Sequence, residues 1–339
     1  MLQKLSIIVF TMVFMISCSS HSWKKLPERQ PLSVSAVIAD ELFTSFPGVL
    51  RVTSKHIVLQ CPRDGNEKFL LIYDRESGEE ITRIGTIGQG PGEWMTPKPG
   101  NVIDDKLAIY DLNLKQYVLT NGNNLYQDIS NPDSIRKTDI DINNLIYVDE
   151  HRYINAFFKE KYPFELVSDG YSTSCGKYPF NENVVNTYSC FQGKLSIHPQ
   201  KEVLIYGISS NPYLAMYRID GDCLKLIWEN QFKEPDYSVS DRQLKWGSSQ
   251  PDGVWDLALT KDYIVCLVKD FTNDARGLDI RTTPKAIYLF DYEGHLTHIF
   301  DLSCHTSRLA ADGQSNIFYA VSLEPDYSIV KYDLSTVGL

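Results

Sequence analysis

The chain has 339 residues, 43% of them hydrophobic, and it includes 20 Tyr and 15 Phe. This is enough apolar material to bury a large core within one large domain. The formal net charge is −10 at pH 7, which argues against nucleic acid as a partner and against electrostatic docking to anionic lipid.

The N-terminus carries the pattern of an export signal. One lysine precedes an apolar run over residues 5–16, which is typical of a signal-peptide h-region and too short for an ordinary membrane span. Cys18 follows Ser17 at the end of this run, an arrangement that resembles the lipobox of bacterial lipoproteins. We therefore predict a signal peptide over 1–17 and acylation of Cys18. The alternative is an ordinary signal peptide with a chance cysteine.

A polar, proline-containing segment follows the predicted signal. Residues 18–33 show no periodicity, which predicts a lipidated flexible tether before a single domain over 34–339. No acidic residue follows Cys18 directly, so the segment does not resemble the surface-export signals of some Gram-negative lipoproteins. We expect an outer-membrane anchor that faces the periplasm.

A short phrase that ends in an aromatic residue, followed in most copies by Asp, recurs along the chain. It occurs at 71–74 (LIYD), 108–111 (AIYD), 215–218 (AMYR), 288–291 (YLFD) and 330–333 (VKYD), with a weaker copy at 165–170 (ELVSDG). The first copy precedes a polar turn and an alternating strand, which is the pattern of a hairpin. The aromatic residue fills space between packed sheets, and Asp opens a turn by accepting hydrogen bonds from the backbone that follows.

Several copies have a neighbouring strand that is apolar without alternation. Examples are 203–206 (VLIY), 264–268 (IVCLV) and 317–321 (IFYAV). Continuous apolar strands indicate burial on both faces, and in an all-β chain this favours small sheets sandwiched between two others. No segment has a long apolar stripe with the period of a helix, so a parallel α/β sheet is disfavoured. We predict an all-β, six-bladed β-propeller, with seven blades as the alternative.

The copies of the phrase divide the chain into blades of propeller length. The predicted blades cover about 47–85, 90–123, 143–180, 190–230, 254–302 and 307–334. Residues 34–43 look like a lone strand before the first blade, and we predict that it pairs with the last blade and closes the ring.

The crossing between blades one and two reads GTIGQGPGEW at 85–94, with prolines at 97 and 99. This run resembles the inter-blade signature of NHL-type propellers, and more closely that of six-bladed TolB-like propeller lipoproteins of Gram-negative bacteria. The phrases at 168–170 and 176–179 (SDG and GKYP) resemble the same group. The resemblance covers nearly the whole chain and implies a fold and an envelope location. It implies no enzymatic activity.

Three motifs could be taken for active sites. The GxGxG run at 88–92 is interrupted by a proline and lacks the helix of a phosphate site, so we interpret it as a turn. Residues 139–150 match calcium-loop spacing but lack the glycine and flanking helices, so we interpret them as the entry to a blade strand rather than a calcium site. His295 and His298 are three apart in a strand and point to opposite faces, which disfavours a shared zinc. No seryl-hydrolase elbow is present.

Six cysteines follow Cys18, and Cys175 and Cys190 are the closest pair in sequence. A disulfide between them is possible in an oxidising periplasm, although the scattered set does not require it.

The sequence indicates no catalytic residue, metal or cofactor, and we expect a monomeric, non-enzymatic binding or scaffold protein with an unknown protein or glycan partner. The alternative is a propeller hydrolase or lyase with a metal or carboxylate site in the central channel. Two polar insertions, 234–251 and 271–284, interrupt the blade spacing, and propeller loops emerge at the faces. We predict binding residues in these loops, namely Tyr237, Arg242, Trp246, Arg276 and Arg281.

Overall fold

Six mainly antiparallel sheets, arranged as blades around a central channel, make up most of the part of the chain that the structure describes. The computed structural model describes residues 26–40, 42, 46–61, 68–121, 129–138, 144–159, 161–180, 182–198, 200–270 and 283–337. Each blade contributes its first strand to the centre of the ring, and a separate two-stranded hairpin lies between blades four and five. This confirms the predicted six-bladed propeller and rules out the seven-blade alternative.

Two strands precede the blades. These are β1 (Arg29–Leu32) and β2 (Ala36–Ala39). Blade one comprises β3 to β7, at Leu50–Val52, His56–Gln60, Lys68–Asp74, Glu80–Ile87 and Glu93–Trp94. Blade two comprises β8 to β11, at Pro97–Ile103, Lys106–Asp111, Gln116–Asn121 and Arg136–Lys137. Blade three comprises β12 to β15, at Leu145–Tyr147, Arg152–Ala156, Phe164–Ser168 and Tyr171–Cys175.

The second half of the ring follows the same order. Blade four comprises β16 to β19, at Gly193–His198, Val203–Ile208, Tyr213–Asp220 and Cys223–Gln231. The hairpin arm consists of β20 and β21, at Tyr237–Ser240 and Gln243–Trp246. Blade five comprises β22 to β25, at Val254–Leu259, Tyr263–Val268, Ala286–Asp291 and Leu296–Leu302. Blade six comprises β26 to β28, at Thr306–Ala310, Ile317–Ser322 and Ser328–Asp333.

Helix is scarce in the part of the chain that the structure describes. One α-helix, α1 (Thr187–Phe191), links blades three and four, and two 3-10 turns cover Pro132–Ser134 and Leu334–Val337. None of these is long and apolar enough to cross a membrane.

The core lies between neighbouring blades all the way around the ring. The apolar second strands are buried as their composition predicts, and every residue of β17 is buried. Five clusters of buried side chains join adjacent blades, for example blades six and one through Val321 and Leu59. Each blade therefore depends on both neighbours for burial, which is why its strands need apolar residues on both faces.

The recurring aromatic phrase has the structural role that the sequence predicts. It lies on the third strand of five blades, and in blade two it lies on the second strand, β9. Tyr73 is buried, and the Asp74 carboxylate accepts hydrogen bonds from the amides of Glu76 (3.0 Å) and Ser77 (2.8 Å). The aromatic residue thus packs between blades while the carboxylate shapes the turn.

Strand β2 closes the ring, as predicted for residues 34–43. It pairs antiparallel with β28 of blade six, with Val37 opposite Val330. The turn after β5 supports this strand from blade one, because Gly78 has a φ of +74° and a Cβ there would lie 1.7 Å from the carbonyl oxygen of Ile38. Only glycine fits at this contact.

Part of the predicted tether is instead part of the propeller. Residues 18–33 were expected to be a flexible linker, yet β1 pairs parallel with β25 on the outer edge of blade five. The Arg29 guanidinium donates hydrogen bonds from Nε to both Asp301 oxygens (3.0 and 3.1 Å), and it also pairs with Asp270. The hydrogen bond with Asp301 is the largest cause of the raised pKa of Arg29, and the contact with Asp270 adds to it. Burial opposes the shift.

The possible disulfide between Cys175 and Cys190 is not formed, since both cysteines are free and buried. Cys175 ends β15 and Cys190 lies in α1, where its Sγ instead contacts the Leu244 carbonyl at 3.7 Å. Burial raises the pKa of the Cys175 thiol to about 11, which makes it unreactive at neutral pH. The predicted signal peptide and Cys18 lie outside the described residues.

Candidate functional site

The ring has two unlike faces. The innermost strands begin at one face, which we call the loop face because it carries the longer connections, including α1 and the hairpin arm. They end at the other face in tight turns such as 53–55 and 104–105, and we call this the turn face. The alternation of antiparallel strands places the first predicted insertion, 234–251, at the loop face, whereas 271–282 of the second lie outside the described residues.

A cavity of about 560 Å³ occupies the centre of the ring. It is lined by residues from the first strand of every blade, so it is the central channel of the propeller. Its volume lies in the range of pockets that hold small-molecule ligands, about 300–1,000 Å³.

Five charged side chains line the channel in the first half of the innermost strands. We call this set the channel cluster, and its members are Arg51, Lys98, Lys194, Asp256 and Arg308. They come from β3, β8, β16, β22 and β26, which belong to blades one, two, four, five and six. Four cations therefore meet one carboxylate in a protein whose overall charge is −10.

Both arginines are held in place by main-chain oxygens. Arg51 donates from Nη1 to the Leu50 carbonyl at 2.8 Å and from Nε to the Gly100 carbonyl of blade two. Arg308 uses the same arrangement, donating from Nε to Gly48 of blade one at 2.6 Å and from Nη1 to Ser307 at 2.7 Å. Nη2 takes part in none of these bonds. The guanidinium groups are thus fixed before any ligand arrives, which lowers the entropic cost of binding.

The cations lack acidic partners of their own. Among the described residues, none of the four forms an ion pair, and the Asp256 carboxylate accepts a hydrogen bond from the Leu309 amide at 2.9 Å. Burial lowers the pKa of Lys194, Arg51 and Arg308, and Asp256 opposes each shift. The charges of Arg308, Arg51 and Lys98 lower the pKa of Lys194 further. The channel therefore holds mutually repelling positive charge.

The acidic residues of the channel lie at its other end and are partly engaged. Asp105 accepts hydrogen bonds from the Ser54 amide (2.6 Å) and hydroxyl (2.8 Å), and Asp312 pairs with Arg75 at 2.5 Å. These groups belong to the turn face, whereas the channel cluster lies towards the loop face. The channel thus has a cationic half and an acidic rim.

Two aromatic residues form part of the channel wall on the loop face. Tyr188 of α1 is 52% exposed and lies edge-on to buried Phe158, with ring centroids 6.4 Å apart. Phe158 has a φ of +51°, an unusual value for a residue other than glycine. Its carbonyl accepts a hydrogen bond from the Thr187 hydroxyl at 2.6 Å, which joins α1 to this strained position. Strain of this kind concentrates at functional sites.

The hairpin arm braces this wall. Tyr237 stacks on Phe180 with centroids 4.2 Å apart, and its hydroxyl donates to Glu182 at 3.0 Å. Arg242 donates to the Asn183 side chain at 3.1 Å, and Trp246 lies 6.0 Å from Phe180.

The arm also holds the start of α1. The Asn186 side chain donates to the Leu244 carbonyl (2.8 Å) and accepts from the Leu244 amide (3.0 Å). Three of the predicted binding residues, Tyr237, Arg242 and Trp246, thus contact the segment that leads into α1, while Arg276 and Arg281 lie outside the described residues. Ligand binding by these side chains stays a prediction.

The other sequence motifs have structural roles. In the glycine run, the Glu93 carboxylate accepts a hydrogen bond from the Gly90 amide at 2.7 Å, so the run is a turn, as expected. His295 binds Asp291 at 2.9 Å, whereas His298 stacks on Phe300, so the two histidines do not converge. Of the possible calcium loop, 139–143 lie outside the described residues and Leu145–Tyr147 is strand β12. No group of three metal-binding side chains occurs within the described ranges.

The repeat architecture and the sequence together decide the family. Residues 27–313 match the family described as TolB-like 6-blade propeller-like. The chain belongs to this family. The match spans all or part of every blade of this TolB-like propeller, and it begins before β1, in agreement with the inclusion of that strand in the fold.

Two solved structures share this fold at low sequence identity. A member of the DUF4221 family from Bacteroides vulgatus is 12% identical, with a TM-score of 0.57 over 91% of this chain and 96% of that one. A Bacteroides fragilis protein predicted to be exported is 13% identical, with a TM-score of 0.56 over 91% and 94% of the two chains. These likenesses support the fold. Among curated proteins, no sequence matches this TolB-like chain.

Sequence reasoning missed the channel cluster, although a signal for it exists. Arg51 and Arg308 are each a single charge between buried neighbours in the first strand of a blade, and Lys194 and Asp256 also occur at early positions of such strands. A lone charge repeated at this place in successive blades marks a channel-facing side chain.

Proposed function

We propose that this TolB-like propeller is a binding protein whose central channel takes a small ligand with more than one negative charge. One observation carries the proposal: four cationic side chains converge in the channel with a single carboxylate among them. Half-buried charge without a partner is costly, and an anionic ligand would remove that cost. Two arginines already fixed by main-chain oxygens would add directed hydrogen bonds from Nη2.

We propose further that the protein is a monomer and not an enzyme. General acid–base or metal-assisted hydrolysis usually needs a second carboxylate, a histidine or a metal site beside the reacting bond. In the described part of the cationic half, Asp256 is the only carboxylate, and its hydrogen bond with Leu309 holds it in the wall. This arrangement favours binding over the hydrolase or lyase alternative.

The N-terminal pattern supports a place in the bacterial cell envelope. A signal-like apolar run that ends in Ser17-Cys18 suits a lipid anchor, and we place the propeller at the outer membrane on the periplasmic side. A short linker then joins Cys18 to β1 on the outer edge of blade five.

Calorimetric titration of the full chain with citrate and pyrophosphate at low salt tests the channel site. We expect saturable binding that weakens with added salt, and a loss of about tenfold or more in Lys98→Gln and in Lys194→Gln. Lys225→Gln is the matched control, because Lys225 is exposed on the outermost strand of blade four. Absence of binding by either anion, or equal losses in the control, would refute the proposal. Chemical change of a bound ligand would refute the non-enzymatic part.

A further inference from the structure

The channel cluster is asymmetric, and its asymmetry limits the shape of the ligand. Arg308, Arg51 and Lys98 come from blades six, one and two, so they form a continuous cationic arc on one side of the channel. Blades three, four and five form the opposite wall and contribute Asn144, Lys194 and Asp256. A ligand that fills the channel thus meets three cations on one side, and one cation, one carboxylate and an amide on the other.

The remaining polar groups suit hydroxyl partners. Asp256 retains lone pairs beyond the bond from the Leu309 amide, and it is flanked in the ring by Lys194 of blade four and Arg308 of blade six. Gln192, at the start of blade four, is exposed and lines the same cavity. Carboxylate and amide groups accept hydrogen bonds from hydroxyls, and a purely anionic ligand would leave Asp256 opposed by like charge.

The aromatic wall adds an apolar contact above this polar set. Tyr188 is half-exposed and faces the cavity from α1, and its position is fixed by Phe158 and by the Asn186–Leu244 bonds. Side chains from blade four hold the other end of α1, where the Ser210 hydroxyl donates to the Cys190 carbonyl at 2.6 Å. A rigid aromatic ring at the mouth of a polar pocket offers a flat surface to a ring-shaped ligand.

We propose that the ligand is a saccharide that bears carboxylates, such as a short chain of uronic acid units. Its carboxylate binds the arc of Arg308, Arg51 and Lys98, its hydroxyls bind Asp256 and Gln192, and the apolar face of a sugar ring packs on Tyr188. This inference rests on the proposed function, because it names the ligand class of the same channel.

Titration with three classes of ligand separates this inference from the proposed function. The first class is oligosaccharides of galacturonic, mannuronic and glucuronic acid, the second is their neutral methyl esters, and the third is citrate, which has carboxylates but no sugar ring. We expect at least one acidic saccharide to bind about tenfold or more tightly than its ester and than citrate.

Variants of Tyr188 supply a second readout. Tyr188→Ala should weaken the acidic saccharide about tenfold and change citrate affinity less than about twofold, while Tyr188→Phe, which keeps the ring, should stay close to wild type. Tyr171→Ala is the matched control, because Tyr171 is 82% exposed on the outer strand of blade three, and it should change neither affinity. Unaltered melting temperatures show that the variants are folded.

The outcomes are distinct. If citrate binds as tightly as every acidic saccharide, or if Tyr188→Ala weakens both ligands equally, the saccharide inference is wrong and the anion site stands. If neither citrate nor pyrophosphate binds, the proposed function fails, and this inference, which rests on it, fails with it.

Discussion

Replacement of Lys194 by glutamine should stabilise the ligand-free protein while it weakens ligand binding. Lys194 lies in the channel with Arg51, Arg308 and Lys98, and Asp256 is the one opposite charge among them. Glutamine keeps the length and polarity of the side chain but removes its charge. The usual expectation for a residue in a folded core is the reverse, because most substitutions destabilise.

The size of the effect follows from the count of charges. Three like charges and one opposite charge leave an excess of two repulsive pairs around Lys194. At separations on the order of 10 Å and an effective dielectric constant of about 40, each pair costs roughly 0.8 kcal/mol. Lys194 is only half-buried, so salt and channel water reduce the total to about 1 kcal/mol. For a chain of this length, that corresponds to a rise of about 2 °C in melting temperature.

Thermal unfolding of the full chain measures this difference. Wild type and Lys194→Gln are compared at low ionic strength in buffer free of multivalent anions, with Lys225→Gln as the exposed control. We expect the gain to shrink as salt is added, and to reverse in saturating citrate, because wild type alone then gains the full binding energy. A ligand-free Lys194→Gln protein that melts below wild type would refute the reasoning.

The remaining predictions concern closure, backbone, pH and the anchor. Deletion of 34–40 should expose the edge of β28 and cause aggregation, and a monomeric product with the wild-type melting temperature would contradict this. Gly78→Ala should cost about 1–3 kcal/mol in chemical unfolding, whereas Gly170→Ala, also at positive φ but in open space, should cost less. Citrate affinity should fall as pH rises through the lowered pKa of Lys194, below the ordinary lysine value of about 10.4, because the ligand binds the protonated form. In that same window this lysine makes the empty protein more stable as pH rises, since the folded chain binds fewer protons than the unfolded one. Cys18→Ala should abolish labelling by a palmitate analogue, and equal labelling would rule out the lipid anchor.

The fold could be predicted because its signals are local and repeated. The phrase around Tyr73 and Asp74 predicts a strand and a turn within a few residues, and its recurrence indicates the number of blades. Strand β1 was missed because Pro31 and the polar residues around it look like a linker. Proline is tolerated there since β1 lies on the edge of a sheet, and only the partner strand β25 reveals this.

The site could not be predicted in the same way. Arg51 and Arg308 are 257 positions apart in the sequence, and their proximity depends on closure of the whole ring. The hairpin arm raises a similar difficulty, because its aromatic residues are of the types found at binding sites. Tyr237 instead stacks on Phe180, a contact that no sequence pattern predicts.

The N-terminal strands set the order in which the molecule can be completed. Residues 29–39 are made early in synthesis, yet β1 pairs with 299–302 and β2 with 329–331, near the other end of the chain. Blades one to four can pack against their neighbouring blades while β1 and β2 still have no partner strand. The last step then joins segments separated by nearly the full chain length, a kind of contact that slows folding. Until blade six has folded, β2 therefore lacks its partner strand β28, and a chaperone that shields the N-terminal segment would have its greatest effect at that stage.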